Sequence, residues 1–446
     1  MKKVVIIGGV AAGMSAAAKL QRKDPTIELT VFEQDRYVSY GACGLPYFLA
    51  GDIPQASQLI ARTEEEFIED GINLLTKRKV LAIKPASRLV DVLNLNTDHQ
   101  EQYAYDQLIM ATGAEAIIPP LSGRELSNIR VLRTLDDGIA IKRILQDPSC
   151  RQVIVVGGGY IGVEIAECLA RRGQQITVIE MEERILTSFG QRMSELALAC
   201  LKEKGVTIRT GEKVQAFNGQ VKVKEVITDR VSYPADLVIM AVGVKPRSTL
   251  AEAAGLKTGV KGAIKVDRYL RTSQPEIYAA GDCAETYHQL LGYNSYLPLG
   301  TVANKQGRLL GENLYSADQK PFSGAAGTSI TRVFELGLAR TGLSEEEAIR
   351  EGYRVDSIFA RVSDRAAYMP GTEPMHVSLI YTLNEGRILG AQVAGRGDVA
   401  KRIDIAVLAI MQRMTVQDLS RGDFAYSPPF APVWDPFLIA ARLAQK

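Results

Sequence analysis

The sequence predicts an α/β chain: two doubly wound, Rossmann-like units and then a C-terminal α+β unit. Three observations carry this. A β-branched run at 4–7 enters a glycine turn and then a helix, and the same order returns at 153–156. Each helix leads to a second apolar strand ending in an acid, Glu33 and then Glu180. From about Gly324 strands and helices continue without any such glycine turn. The β-branched runs suit strands buried on both faces of a parallel sheet.

Composition sets the bounds. A chain of 446 residues has room for two or three full cores. Charged residues make up 23% and apolar ones 46%, the balance of an ordinary globular enzyme. A net charge of +2 gives no reason to expect a nucleic-acid partner or an anionic membrane surface. Five scattered cysteines, at 43, 150, 168, 200 and 283, form neither a disulfide framework nor a metal site. They fit a reducing, cytoplasmic setting. Lys2 and Lys3 before an apolar run imitate a leader peptide, but glycines at 8, 9 and 13 break that run. No segment has the ~20 unbroken apolar residues of a membrane span.

Taken in order, the first turn is Gly8-Gly9-Val10-Ala11-Ala12-Gly13, with Gly8 and Gly13 at the first and third positions of a dinucleotide fingerprint. Val10 replaces the middle glycine, so this match alone is weak. Glu33, twenty positions beyond Gly13, stands where a carboxylate binds a ribose hydroxyl. A solvated strand end is the alternative for Glu33. Next, residues 39–47 read Ser-Tyr-Gly-Ala-Cys-Gly-Leu-Pro-Tyr and hold Cys43 just ahead of an apolar run, 45–50, able to begin a helix. A thiol at a helix N-terminus meets unpaired N–H groups, so a depressed pKa is expected for Cys43. Taken singly, a free cysteine is more often a small buried hydrophobe; the two flanking nucleotide signatures favour the nucleophile.

Thr63 to Glu66 is a capping box, and a strand at 105–110 runs into the tight turn Ala111-Thr112-Gly113. Pro119 and Pro120 mark a crossing to the next unit. The second fingerprint, Gly157-Gly158-Gly159-Tyr160-Ile161-Gly162, has all three required glycines at 157, 159 and 162. Glu180 follows eighteen positions after Gly162. With Glu182 it would hydrogen-bond a free ribose and repel a 2′-phosphate, so NADH is expected over NADPH. Later the strand at 277–280 enters Gly281-Asp282, where an acid ahead of a helix binds a ligand hydroxyl or acts as an N-cap. Ser344 to Glu347 caps a helix, and 402–413 is amphipathic. The proline- and aromatic-rich stretch 426–436 suits a rigid segment packed on another surface.

Two fingerprints, a cysteine after the first, the strand before Asp282 and a separate C-terminal unit occur together in one family. The chain resembles the flavin-dependent pyridine-nucleotide disulfide oxidoreductases along nearly its whole length. It is most similar to their single-cysteine branch of coenzyme A disulfide reductases, NADH oxidases and peroxidases, and persulfide reductases. The resemblance rests on residues 8–13, 39–47, Ala425-Tyr426-Ser427-Pro428-Pro429-Phe430 and Val433-Trp434-Asp435-Pro436. It implies FAD at Gly8, Gly13, Glu33, Thr112 and Asp282, and NADH at Gly157, Gly159, Gly162 and Glu180, with Glu164 near the nicotinamide. It further implies FAD-binding segments at 1–115 and 246–323, an NAD(H)-binding unit at 116–245, and a dimerisation unit at 324–446. A homodimer would place the partner's C-terminal segment over the cysteine, giving a shared active site for a small-molecule substrate.

Cys43 has no resolving cysteine five residues on, where Phe48 stands. It must form a mixed disulfide with a small thiol or be oxidised to a sulfenic acid. Oxidases and peroxidases of the branch carry a histidine aligned with Ala11, and alanine offers no acid, base or donor there. The resemblance therefore favours reduction of coenzyme A disulfide, or a coenzyme A persulfide, by NADH through FAD and Cys43. The alternative is an NADH oxidase reducing dioxygen at the flavin, or peroxide through a sulfenic acid. Tyr368 and Tyr426 match the tyrosines that handle protons in coenzyme A disulfide reductases; packed aromatics are the other reading. Lys19 and Arg22 match positions that hold the phosphates of coenzyme A, with Ser15 and Ser39 nearby, though Lys19 and Arg22 also suit a solvated helix face. Trp434 has the shape to stack on its adenine. Ala42 stands where those reductases often carry a polar asparagine.

Overall fold

The computed structural model describes residues 2–445. Two five-stranded sheets on one plan hold the two glycine turns. In the first, Lys3–Ile7 is central, flanked by Glu28–Phe32 and Asn73–Leu75 on one side and Gln107–Met110 and Ile277–Ala279 on the other. In the second, Gln152–Val156 is central, with Gln175–Ile179 and Thr207–Arg209 on one side and Leu237–Met240 and Ile129–Val131 on the other. All neighbouring pairs are parallel. Register aligns Ile7 with both Phe32 and Met110, and Val156 with both Ile179 and Met240. The residues just past these strands therefore gather at one edge, where open parallel sheets bind ligands.

Burial on both faces explains the β-branched runs. In the second sheet Val153 and Val155 pack with the helix Tyr160–Arg171, through Val163, Ala166 and Leu169. Ile154 and Val156 face the other way, into a meander of Val214–Gly219, Val223–Thr228 and Ser232–Pro234. A matching meander of Arg78–Lys84, Leu89–Asn94 and His99–Ala104 adds Ile83, Val90 and Val92 to the core of the first sheet.

The glycine turns are built by close approach. Gly8 and Gly157 have φ of 112° and 107°, a region that favours glycine. A Cβ on Gly13 would lie 1.8 Å from the Gly8 carbonyl oxygen, and one on Gly162 would lie 1.9 Å from that of Gly157. Each helix can therefore seat on its strand end only with hydrogen at that position. The helix Gly300–Asn313 packs on Ala11–Lys23 in the same way, with Gly307 against the Ala12 carbonyl.

The chain crosses between the sheets twice, and the crossings pair. Ala114–Ala116 runs antiparallel to Val244–Pro246, and Arg247 donates its N–H to the Gly113 carbonyl at 2.9 Å. The C-terminal unit is an antiparallel sheet ordered Ser329–Val333, Leu336–Gly342, Ile388–Gly395, Pro374–Thr382, Val355–Ser363. Helices Val399–Met411 and Pro436–Leu443 share its core through Ile403, Ala406, Phe437 and Ala440.

A charged seam joins all three units. Arg332 of the C-terminal sheet lies 3.1 Å from Glu167, a fully buried carboxylate on the second fingerprint helix. Arg171, 3.5 Å from Glu167, also clasps Asp52 with two bonds of 2.7 and 2.8 Å.

Two details of the sequence reading are corrected. No helix follows Asp282, so it is no N-cap; the chain turns into the hairpin Thr286–His288 and Tyr293–Ser295. The helix expected at 402–413 spans Val399–Met411, because the Asp398 side chain caps it by accepting the Lys401 N–H.

Gly159 differs from Gly162 in that nothing lies within 4 Å of the Cβ it lacks. Gly162→Ala should accordingly destabilise the protein by about 1–3 kcal/mol. Gly159→Ala should change folding by no more than about 0.5 kcal/mol. Denaturant midpoints of the two variants check this.

Candidate active site

The loop bearing Cys43 is pinned to the first glycine turn. Ser39, in a left-handed conformation (φ 47°), donates its N–H to the Gly9 carbonyl at 2.9 Å. Gly41 bonds to the Leu59 carbonyl, and Ala42–Gly44 forms one tight helical turn that continues into Leu45–Ala50. Gly44 is tightly packed: a Cβ there would lie 2.3 Å from Leu59 Cδ2. Cys43 is left exposed at the turn's surface.

Three distant segments converge electrostatically on this sulfur: Glu164 of the second fingerprint helix, Asp282 and Arg133. Here the expected depression of the Cys43 pKa is overturned. Partial burial by the surrounding protein pushes the thiol up, Glu164 and Asp282 push the same way, and Arg133 opposes them. The local N–H contribution is the smallest of these, and the following helix is only six residues long.

Each remaining expected residue has a definite place. Glu33 is buried and accepts N–H bonds from Gly9 (2.7 Å) and Asp35 (2.9 Å). Burial pushes its carboxyl up despite those bonds. Glu180 repeats the arrangement, accepting from Gly158 at 2.6 Å and Glu182 at 2.9 Å. Both acids thus brace their own glycine turns. Thr112 Oγ1 donates to the Arg247 carbonyl at 2.7 Å. Asp282 pairs with Arg133 at 2.6 Å. Glu164 accepts from Thr331 Oγ1 at 2.8 Å; burial raises its pKa, with this bond opposing.

On the outer face of the first fingerprint helix, Ser15 Oγ lies 2.7 Å from Asn304 Oδ1. Lys19 is not a free cation: it is largely covered and bridges Glu312 at 2.7 Å. Arg22 donates to its own helix, at the Ala18 carbonyl, and stays exposed. Tyr368 and Tyr426, both exposed, come together with hydroxyls 3.2 Å apart. Trp434 is half exposed beneath the Arg442 guanidinium, 4.3 Å from its ring centre. Phe430 and Val433 beside it are 81% and 60% exposed, so the rigid segment expected at 426–436 is not packed away within one subunit.

Arg133, Thr331, Glu167 and Arg332 were missed by sequence reasoning. Arg133 follows a three-residue strand and precedes the Thr134–Asp137 capping box, a helix-start signal that says nothing of ligands. Thr331 and Arg332 sit on an ordinary strand with no motif around them.

The turns fit two dinucleotides. Helices Ala11–Lys23 and Tyr160–Arg171 have no side-chain N-cap and no acid in their first turn. Helices Glu64–Glu69, Leu135–Ile144, Glu345–Arg350 and Val399–Met411 carry side-chain caps, whereas Gln191–Glu203 and Gly300–Asn313 also lack one. It is therefore the glycine turn ahead of the helix that marks out Ala11–Lys23 and Tyr160–Arg171. Uncapped N–H groups beside glycines suit a pyrophosphate. FAD and a pyridine nucleotide, each with a pyrophosphate, match two such donor sets. Among the described residues no group of three or more His, Cys, Asp or Glu could hold a metal ion, and no helix is long and apolar enough to cross a membrane.

Comparison with known proteins agrees with this geometry. Residues 2–307 match the family model for pyridine nucleotide-disulphide oxidoreductase, and residues 328–436 match the dimerisation domain of the same family. The chain is 36% identical over 444 residues to an NAD(P)H coenzyme A polysulfide/persulfide reductase of Pyrococcus horikoshii, covering 99% of this chain and 98% of that one. It is 31% identical to a coenzyme A disulfide reductase of Staphylococcus aureus, over 97% of each. The solved NAD-dependent persulfide reductase of A. fulgidus superimposes with a TM-score of 0.96 at 38% identity, covering 99% of this chain and 83% of that one. Two paired nucleotide turns, a cysteine pinned to the first and a matching C-terminal unit agree with these similarities: the chain belongs to the pyridine nucleotide-disulphide oxidoreductase family.

Proposed function

We propose that this FAD-dependent enzyme passes reducing equivalents from NADH to Cys43, which reduces coenzyme A disulfide or a coenzyme A persulfide through a mixed disulfide. The observation that carries the reading is an exposed thiol, with no internal disulfide among the described residues, on a loop bonded to the first glycine turn through Ser39. In this reading residues 1–115 and 246–323 hold FAD, 116–245 hold NADH, and 324–446 form a homodimer whose partner closes the active site. A reducing, cytoplasmic compartment suits such a thiol.

The chain's own groups have definite tasks. The Cys43 thiolate attacks one sulfur of the disulfide, forming a Cys43–S–S–coenzyme A bond and breaking the original one. The departing thiolate takes a proton from the Tyr368–Tyr426 pair. FAD, when bound, would supply the two electrons delivered by NADH that split the mixed disulfide into the Cys43 thiolate and a second, departing coenzyme A thiolate. Arg133 favours that thiolate, and the Glu164 carboxylate opposes it. Gly8, Gly13, Glu33, Thr112 and Asp282 line the FAD site, and Gly157, Gly159, Gly162, Glu164 and Glu180 the NADH site. Ser15, Lys19, Arg22, Ser39 and Trp434 receive coenzyme A. For Lys19 that requires exchanging Glu312 for a substrate phosphate.

Under argon, NADH consumption should depend on added coenzyme A disulfide, and Cys43→Ser should abolish it while sparing slow oxidation by air. Rapid NADH consumption in air without any disulfide would instead favour the oxidase, a reading Ala11 does not help.

Glu180 and Glu182 should make kcat/KM higher with NADH than with NADPH; comparing the two values decides it.

Glu164→Gln removes an anion that raises the Cys43 pKa, so the thiolate should form at lower pH. The pH profile of iodoacetamide alkylation at Cys43 should shift downwards relative to wild type. An unmoved midpoint would count against the assigned proximity.

A further inference from the structure

Arg402, on the helix Val399–Met411, is only 8% exposed and lies far along the sequence from either tyrosine. One arm of its guanidinium pairs with Asp435. The other donates to the Asp364 carbonyl at 2.9 Å. Asp435 follows Trp434 and caps the last helix, accepting the Phe437 N–H at 2.9 Å. Asp364 is 4% exposed, and its carboxylate accepts the Glu373 N–H at 3.0 Å, closing the loop that carries Tyr368. One backbone bond, Ala366 N–H to the Pro428 carbonyl at 3.3 Å, ties the two loops directly. The hydroxyls of Tyr368 and Tyr426 meet at 3.2 Å on exposed side chains, and among the described residues neither has another hydrogen-bond partner. Their spacing is set from the roots of the two loops. A planar fork that bonds two directions at once suits that task, and a lysine would not reproduce it.

We propose that Arg402 is a positioning residue that clamps the Tyr368 and Tyr426 loops to each other and so sets the hydroxyl pair that protonates the departing coenzyme A thiolate. The proposal rests on the role given to those tyrosines above. Arg402 touches neither substrate nor cofactor. Its loss leaves Asp435 buried without its cation, so the loop after Tyr426 must open to hydrate that carboxylate.

The test uses the holoenzyme and the single tryptophan of the chain, Trp434. In Arg402→Gln, and to a lesser degree Arg402→Lys, iodide should quench Trp434 emission more strongly than in wild type. The kcat with coenzyme A disulfide should fall about 10–100-fold, while NADH-driven ferricyanide reduction is unchanged. Combined with Tyr426→Phe, Arg402→Gln should add no further loss, since both act on one group. If Arg402→Gln does not fold, Asp435→Asn keeps an acceptor for the Phe437 N–H and should show the same split. Wild-type disulfide turnover in Arg402→Gln, or an equal loss of ferricyanide reduction, would overturn the clamp. Full turnover in Tyr426→Phe alongside raised quenching in Arg402→Gln would leave the clamp standing and remove the role given to the tyrosines.

Discussion

The contact on which the rest depends is between a helix and the strand end that precedes it. At Gly13 against Gly8, and at Gly162 against Gly157, backbone fills the space a Cβ would need, so helix and sheet meet at hydrogen distance. That approach aims uncapped N–H groups at the sheet edge where Glu33, Thr112 and Glu180 also end. The Cys43 loop is secured to the same structure, through the Ser39 bond to the Gly9 carbonyl. A shift of the first turn would move both the uncapped N–H groups and the sulfur.

The second constraint is electrostatic. Glu167 is buried one helical turn beyond Glu164, and Arg332 and Arg171 answer its charge. Ion pairs of this kind contribute little net stability, because desolvation offsets attraction, but an unpaired carboxylate there is costly. The seam therefore acts mainly on geometry: it holds the second nucleotide unit against the C-terminal sheet, where Thr331 also donates to Glu164. Carboxylates around a thiol oppose ionisation, and Arg133 is the counterweight.

The C-terminal segment has the opposite character. Tyr368, Tyr426, Phe430, Val433 and Trp434 are all about half exposed or more, a run of large apolar surface that one subunit leaves uncovered. Its roots are nevertheless firmly held, by Arg402, Asp435 and Asp364. A rigid base under an uncovered tip suits a segment that completes its surroundings on a partner subunit.

How much was legible in the sequence follows from range. The glycine spacings, the β-branched strands, the acids at strand ends and the capping boxes at Thr63 and Ser344 are local patterns, each confined within about twenty positions. These determined the α/β plan, both nucleotide turns and the singular position of Cys43. Tertiary structure alone decided which charges meet. Arg133 reaches Asp282 across 149 positions, Thr331 reaches Glu164 across 167, and Lys19 finds Glu312 rather than open solvent. It also reversed the expected shift at Cys43, because burial and two distant carboxylates outweigh one short helix end. Periodicity and spacing record what a residue does within its own turn or strand; the partner of a buried charge is set by the packing of whole units, which no local pattern encodes.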